Sequence, residues 1–250
     1  CLPWSETDYR LAEIFFLSLL LLLQETPQMP ELKLIIGNRN YSSWSLRAWL
    51  AMRQAGLEFR EEMVPLDLPD TRQRLLEYSD AGRVPVLFHG DLKVWDSLAI
   101  IEYLAETYPD QPWWPEDPAA RAHARAVSAE MHSGFAALRS EIPMNIRATG
   151  RKVDLSEQAK SDVARVLALW QGCLDQKGRK KADGSFLFGP FCPADAMFAP
   201  LVSRFRTYGI ELTDSLQAYA DAVWTTEGMI WWRDASDQES WTIPGEEVGN

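Results

Sequence analysis

At 250 residues, with 46% apolar and 24% charged positions, the chain has the makeup of a globular protein large enough for one big domain or two modest ones. Its 25 Lys and Arg against 36 Asp and Glu give a formal net charge of -11. With no basic patch, that balance excludes binding to a nucleic-acid phosphate backbone. Cys1, Cys173 and Cys192 are widely spaced, as are His89, His123 and His132. They form no disulfide framework and no metal-ligand pattern, so a reducing, cytoplasmic compartment and no metal are expected.

Residues 14–23, IFFLSLLLLL, are a dense apolar run, short of the roughly 20 positions a membrane helix needs. Arg10 is offset by Glu6, Asp8 and Glu13, and QETPQMP has no small-x-small cleavage pattern, so a secretory signal fits poorly. Residues 1–28 read as an extension upstream of a start at Met29. A membrane-associating or packing helix is the other reading, and membrane contact is not expected.

From residue 34 the pattern becomes informative. The apolar Leu34, Ile35 and Ile36 read as a strand, the polar GNRNY as a turn, and residues 45–55 as a helix ended by Gly56. Ser42 and Ser43 stand where the first helical turn has unpaired N–H groups, a position that favours an anion. Residues 58–64 suggest a second strand and 71–78 a short helix with Asp70 as its N-cap. The apolar runs 86–88 and 92–95 flank Gly90-Asp91 as a hairpin. Asp96-Ser97 opens a helix over 97–107, stopped by Pro109. The order over residues 32–108 is β-α-β-α-β-β-α. Pro85 precedes a strand that should be central, where it removes a ladder donor; a cis Val84–Pro85 bond is one way to accommodate it.

Residues 109–118, PDQPWWPEDP, carry four prolines and read as an extended linker. Beyond it the period is helical: residues 119–147 as one helix or two, broken at Pro143, then 155–176, 193–208, 212–225 and 228–235. If Cys192 caps the helix at 193, Asp195 falls at its third position and can fold back onto free backbone donors. The domains expected are an extension (1–29), an α/β unit (30–108), the linker, an all-helical unit (119–235) and a peripheral polar tail (236–250). The eleven tryptophans are expected in the core and between domains.

Four motifs occur in order: Tyr41-Ser-Ser-Trp-Ser-Leu-Arg47, Gly82-Arg-Val-Pro85, Asp96-Ser-Leu-Ala-Ile100 and Phe191-Cys-Pro-Ala-Asp-Ala-Met-Phe198. Together the set resembles the soluble glutathione transferase superfamily, in particular its serine-type bacterial branch near the zeta and theta classes. The resemblance implies an α/β thioredoxin-like N-terminal domain, an all-α C-terminal domain, glutathione as co-substrate, a small electrophile and a homodimer. By position Ser42 would face the glutathione sulfur, with Ser43 as rival register and Tyr41 as a third hydroxyl. A hydroxyl donating to the sulfur beside a helix N-terminus favours the thiolate, the reactive form. Val84 and Pro85 would meet the cysteinyl unit through the backbone, and Asp96 and Ser97 the γ-glutamyl end. Arg83 would reach the glycyl carboxylate or stand solvated in its loop. Cys192 and Asp195 form the structural cap, with Cys192 a poorer cap than the usual Ser or Thr. Trp44 stands where zeta-like members carry cysteine, which weakens a maleylacetoacetate isomerase reading. That isomerase variant would want extra cations, with Arg139, Arg147 and Arg151 as sources. Arg47 is expected to be an ion-pair partner within its helix. A non-catalytic glutathione-binding or regulatory protein is the alternative outside enzymology.

Overall fold

The computed structural model describes residues 31–175 and 184–249. The apolar run at 14–23 lies outside the described residues. No helix among the described residues is long and apolar enough to cross a membrane.

The N-terminal half is β1 (Leu32–Ile36), α1 (Ser43–Gln54), β2 (Arg60–Met63), α2 (Thr71–Tyr78), β3 (Val86–His89), β4 (Leu92–Trp95) and α3 (Ser97–Thr107). The sheet order is β2-β1-β3-β4, with β1 parallel to β2 and the other pairs antiparallel. The two-residue period of a strand decides which face each side chain meets. Leu32, Leu34, Ile36 and Leu87 join the main core with α1 and α3, while Ile35 and Val86 face Leu75 of α2. Ile35 is paired with Val86, so the register keeps like faces together. Because helices cover both faces, β1 is apolar nearly throughout and does not alternate.

The C-terminal half is α4 (Pro118–Ser133), α5 (Ala136–Glu141), α6 (Glu157–Leu174), α7 (Pro193–Tyr208), α8 (Asp214–Trp224) and α9 (Glu227–Asp237), followed by a 3-10 turn at Pro244–Glu246. This mixed-sheet domain followed by an all-helical domain is the glutathione transferase fold. Three expectations need correction. The break in the 119–147 region falls at Gly134 and Phe135, not Pro143; Phe135 holds φ 59 and serves as the N-cap of α5. Asp70 precedes α2 but makes no side-chain cap hydrogen bond. The tail is not peripheral, because its carboxylates bond the loop ahead of α1.

Helix α7 is the central pillar, with nearly every side chain buried and α1 packed along it. Cys192 is its N-cap, and Asp195 Oδ2 accepts from the Cys192 N–H at 2.9 Å. Asp195 Oδ1 accepts from the Leu187 N–H at 3.1 Å, so one carboxylate ties the helix to the segment ahead of it. Burial pushes the Asp195 carboxyl up to about 6 from 3.8, against the pull of these donors. A raised folded pKa means that the folded state takes up a proton that the unfolded chain releases. The associated stability is present below about pH 4 and lost as pH rises through about 6. The unfolding free energy of the native chain should therefore fall by about 2–3 kcal/mol relative to Asp195→Asn across that window. Parallel denaturant titrations of both proteins check this; curves that keep a constant offset from pH 4 to 7 would refute it.

Candidate functional site

The site begins where β1 ends. A Cβ on Gly37 would come within 2.6 Å of Leu66 Cδ1, so glycine permits the close approach of the two loops. Asn38, fully buried, accepts from Leu66 N–H at 2.7 Å through its side chain and from Ser42 N–H at 2.8 Å through its carbonyl. The next residues are bonded to distant parts of the chain. Arg39 N–H donates to both Glu239 oxygens at 2.9 Å, and its guanidinium pairs with Glu239 and Glu61. Asn40 Nδ2 donates to Asn145 Oδ1 at 2.9 Å, and Asn40 Oδ1 accepts from Arg147 N–H at 2.9 Å. Tyr41 O–H donates to Glu247 Oε1 at 2.6 Å.

This loop delivers Ser42 as the N-cap of α1 and Ser43 as its first residue, both buried. Ser42 Oγ donates to Ser45 Oγ at 2.8 Å, and Ser45 Oγ accepts from Gly37 N–H at 3.0 Å. Ser43 Oγ instead accepts from Arg204 Nη2 at 3.5 Å. Tyr41, the third hydroxyl considered, is committed to the tail.

Two cavities adjoin here, sharing Trp44, Arg83 and Val84 in their walls. The first, about 690 Å³, runs past Val84, Pro85, Asp96 and Ser97, with Arg72 and His132 at its sides. The Val84–Pro85 peptide bond is cis. Asp96 has φ 79, and its Oδ1 caps α3 through Leu98 N–H (2.9 Å) and Ala99 N–H (3.1 Å). Its Oδ2 lies 3.0 Å from His132 Nε2, reaching across from α4. Ser97 Oγ is buried and has no hydrogen-bond partner among the described residues, so it is free to bond a ligand's polar group. The structure thus brings the predicted Val84, Pro85, Asp96 and Ser97 to one wall, and Arg83 to its exposed rim.

The second cavity, about 590 Å³, lies between the serines and the helical domain. Arg139 of α5, Arg204 of α7 and Glu246 of the tail line it opposite Ser42, Ser43 and Trp44. Arg204 is buried, and desolvation pushes it down to about 10, with Glu246 pulling it upward and Arg139 downward. Arg47 is fully buried behind Trp44, 4.3 Å from the ring centroid, and all three of its nitrogens lack a hydrogen-bond partner among the described residues. Burial, then the charges of Arg204 and Arg139, push it down to about 9. Arg47 is thus not the ion-pair partner expected. Arg147 and Arg151 also differ from expectation, since they hold the tail: Arg147 donates to the Glu239 and Trp241 carbonyls, and Arg151 to Glu247 and the Gly249 carbonyl. Of the three cations considered for the pocket, only Arg139 faces it.

Sequence reasoning missed Arg204, Glu246, His132 and Arg72. Arg204 had one legible sign, a cation within the apolar stripe of α7; the others had none. Among the described residues no group of three or more His, Cys, Asp or Glu is placed to hold a metal.

A mixed sheet with a cis-proline turn, a helix N-terminus carrying serines and an all-helical partner domain are what the site is built on. The profile of the family described as "Glutathione S-transferase, N-terminal domain" matches residues 41–107. The probable maleylacetoacetate isomerase of Caenorhabditis elegans is 31% identical over 175 residues, covering 70% of this chain and 79% of that protein. A zeta-class glutathione S-transferase of Euphorbia esula is 36% identical over 107 residues, 42% of this chain and 44% of that protein. A glutathione transferase homologue from Burkholderia, solved with bound glutathione, aligns with a TM-score of 0.64 at 24% identity over 84% of this chain and 100% of the other. Maleyl pyruvate isomerase, a bacterial zeta-class enzyme, aligns with a TM-score of 0.65 at 21% identity over the same shares. At these identities the structural likeness speaks for the fold. The chain belongs to the glutathione transferase superfamily.

Removing Glu239 takes from Arg39 one of its two carboxylate partners and leaves its backbone N–H without an acceptor in a largely buried place. Arg39 and Glu239 have side chains only 14% and 5% exposed. Glu239→Ala should therefore cost about 3 kcal/mol and lower Tm by about 5–10 °C. Calorimetry checks this, and an unchanged Tm would show that the tail does not brace the serine loop.

Proposed function

We propose that the protein is a glutathione S-transferase that holds the thiol of glutathione as the thiolate and presents it to a small electrophile. The observation that carries this is the row Gly37 N–H, Ser45 Oγ, Ser42 Oγ at the N-terminus of α1, which ends at the wall of the smaller cavity, next to Trp44, Arg83 and Val84 that it shares with the larger. Rotation of two hydroxyls turns that row into a continuous donor chain: Gly37 N–H to Ser45, Ser45 to Ser42, and Ser42 to sulfur. Each bond polarises the next, and the helix end adds positive potential. Serine stabilises charge and forms no covalent bond; attack on the electrophile then needs proximity and orientation. Ser42 is accordingly the sulfur ligand, and Ser43 belongs to the electrophile side with Arg204.

The larger cavity suits the tripeptide. Val84 would meet the cysteinyl unit through its backbone. Ser97, with its unspent hydroxyl, would take the γ-glutamyl carboxylate beside Asp96. Arg83, exposed on the rim, would reach the glycyl carboxylate. A homodimer accompanies this reading, and the exposed Leu92 and Trp95 of β4 offer apolar surface for it; sedimentation that finds only monomer would exclude it.

Ultraviolet titration of bound glutathione reads the thiolate directly. The native complex should ionise well below the ordinary thiol value of about 8.5. Ser42→Ala should return it close to that value and cut kcat/KM by about 100-fold. Ser43→Ala should leave the titration in place and cost less than about tenfold in kcat/KM. The reverse ranking would transfer the sulfur to Ser43. Tight glutathione binding with an unshifted thiol in the native protein would make it a binding scaffold and not an enzyme.

A further inference from the structure

The cavity beside the serines is electrically lopsided. Its helical-domain wall carries Arg139 and Arg204, and Arg47 sits behind Trp44 with no hydrogen-bond partner for any nitrogen among the described residues. Both outer guanidiniums have capacity left. Arg204 keeps Ile142 O at 2.9 Å through Nε, but its terminal nitrogens make only long contacts, 3.4 Å to Pro200 O and 3.5 Å to Ser43 Oγ. Arg139 makes no ion pair among the described residues, and its buried Nε has no partner. Buried guanidinium donors left this poorly matched call for a planar anion, and a carboxylate fits their fork. Against them the lining has one carboxylate, Glu246. Its segment is held down by Tyr41 and Asn145, which donate to Glu247 Oε1 at 2.6 and 2.8 Å, and by Arg151, which donates to Glu247 Oε2 at 2.5 Å. Glu246 is thus a fixed part of the wall.

We propose that this cavity selects an electrophile bearing a single carboxylate, bound by Arg139 and Arg204, and that Glu246 is the specificity-determining residue that turns away a second one. That the ligand is an electrophile rests on the glutathione reading above; the charge selectivity does not. Glu246 leaves the arginine end attractive to one anion and makes the tail end repulsive to another. Specificity of this kind is built from a repulsive element as much as from an attractive one. It also sets this site against dicarboxylates, which an isomerase of the maleylacetoacetate type would have to accept.

Calorimetric titration of the full chain, without glutathione, tests this with three unreactive probes of similar shape: a nitrobenzamide, a nitrobenzoate and a nitrophthalate. The benzoate should bind about tenfold tighter than the amide and the phthalate more weakly than the benzoate. Arg139→Gln should abolish the advantage of the benzoate over the amide. Glu246→Gln should raise phthalate affinity about tenfold more than benzoate affinity. Both positions are partly exposed, and a melting curve verifies that each variant is folded. Equal binding of amide and benzoate to the native protein, or no measurable benzoate binding, overturns the proposal. So does a Glu246→Gln variant that gains equally for benzoate and phthalate. A protein that shows the full charge pattern and binds no glutathione keeps the selectivity, loses the electrophile, and overturns the transferase reading.

Discussion

The structure depends on how the loop of residues 38–41 satisfies its polar groups. Between β1 and α1 the chain has no ladder and no helix to absorb its main-chain donors and acceptors, yet Asn38 and Asn40 are fully buried. A buried amide without a partner costs about 1–3 kcal/mol. Most of these groups are met at long range: Asn38 Oδ1 accepts from Leu66 N–H, while Asn38 Nδ2 has no partner among the described residues. Asn40 exchanges bonds with Asn145, Ile146 and Arg147, and Arg39 bonds Glu239 and, through its carbonyl, Trp232 Nε1 at 2.9 Å. The orientation of Ser42 is therefore set by the docking of the helical half and the tail. The serine corner does not exist as a local motif of the first domain alone.

The same docking explains why arginines stand beside the serines. Helix α1 packs along α7, so a side chain from α7 can reach the first turn of α1. Arg204 does so, donating to the Ile142 carbonyl on its way. Burying Arg47 and Arg204 together is unfavourable by desolvation and mutual repulsion, and both are depressed, to about 9 and about 10. Both stay protonated at neutral pH all the same. A fold that keeps two such cations in its interior opposes its own stability locally, a pattern that belongs to sites for anions more than to packing.

Much of the fold was legible because its signals are local. The helix at 193–208 follows from Pro193, Asp195 and apolar steps of three and four, and its observed limits agree. The strands 86–88 and 92–95 and the helix at 97–107 follow from Gly90-Asp91 and Asp96-Ser97, which act on their own neighbours. Candidate site residues were legible to the same extent: Ser42, Val84, Pro85, Asp96 and Ser97 each sit at an element boundary where composition marks the chain. Arg204, His132 and Glu246 carry no such mark. Each reaches the site from a segment far along the sequence, and a cation among apolar neighbours reads equally well as a solvated stem. The break after α4 was misplaced at Pro143 because proline is the stronger sequence signal. What ends α4 is Gly134 followed by Phe135 in the left-handed region, a conformation that tertiary packing imposes on a residue with no preference for it.

The tail joins these threads. Three of its carboxylates, at 239, 246 and 247, meet different needs: Glu239 pairs with the loop arginine, Glu247 accepts from Tyr41 and Asn145, and Glu246 faces the cavity. A chain with a formal net charge of -11 repels anions at long range, and that repulsion is screened within about 8 Å at physiological salt. Inside the cavity Arg204 is buried and Arg139 half-buried, so their charge is screened less than that of the acidic surface, which faces water. Because the groups that fix the tail are also the groups that orient the serine loop, the charge in the cavity beside the serines and the placement of Ser42 are set by one set of hydrogen bonds.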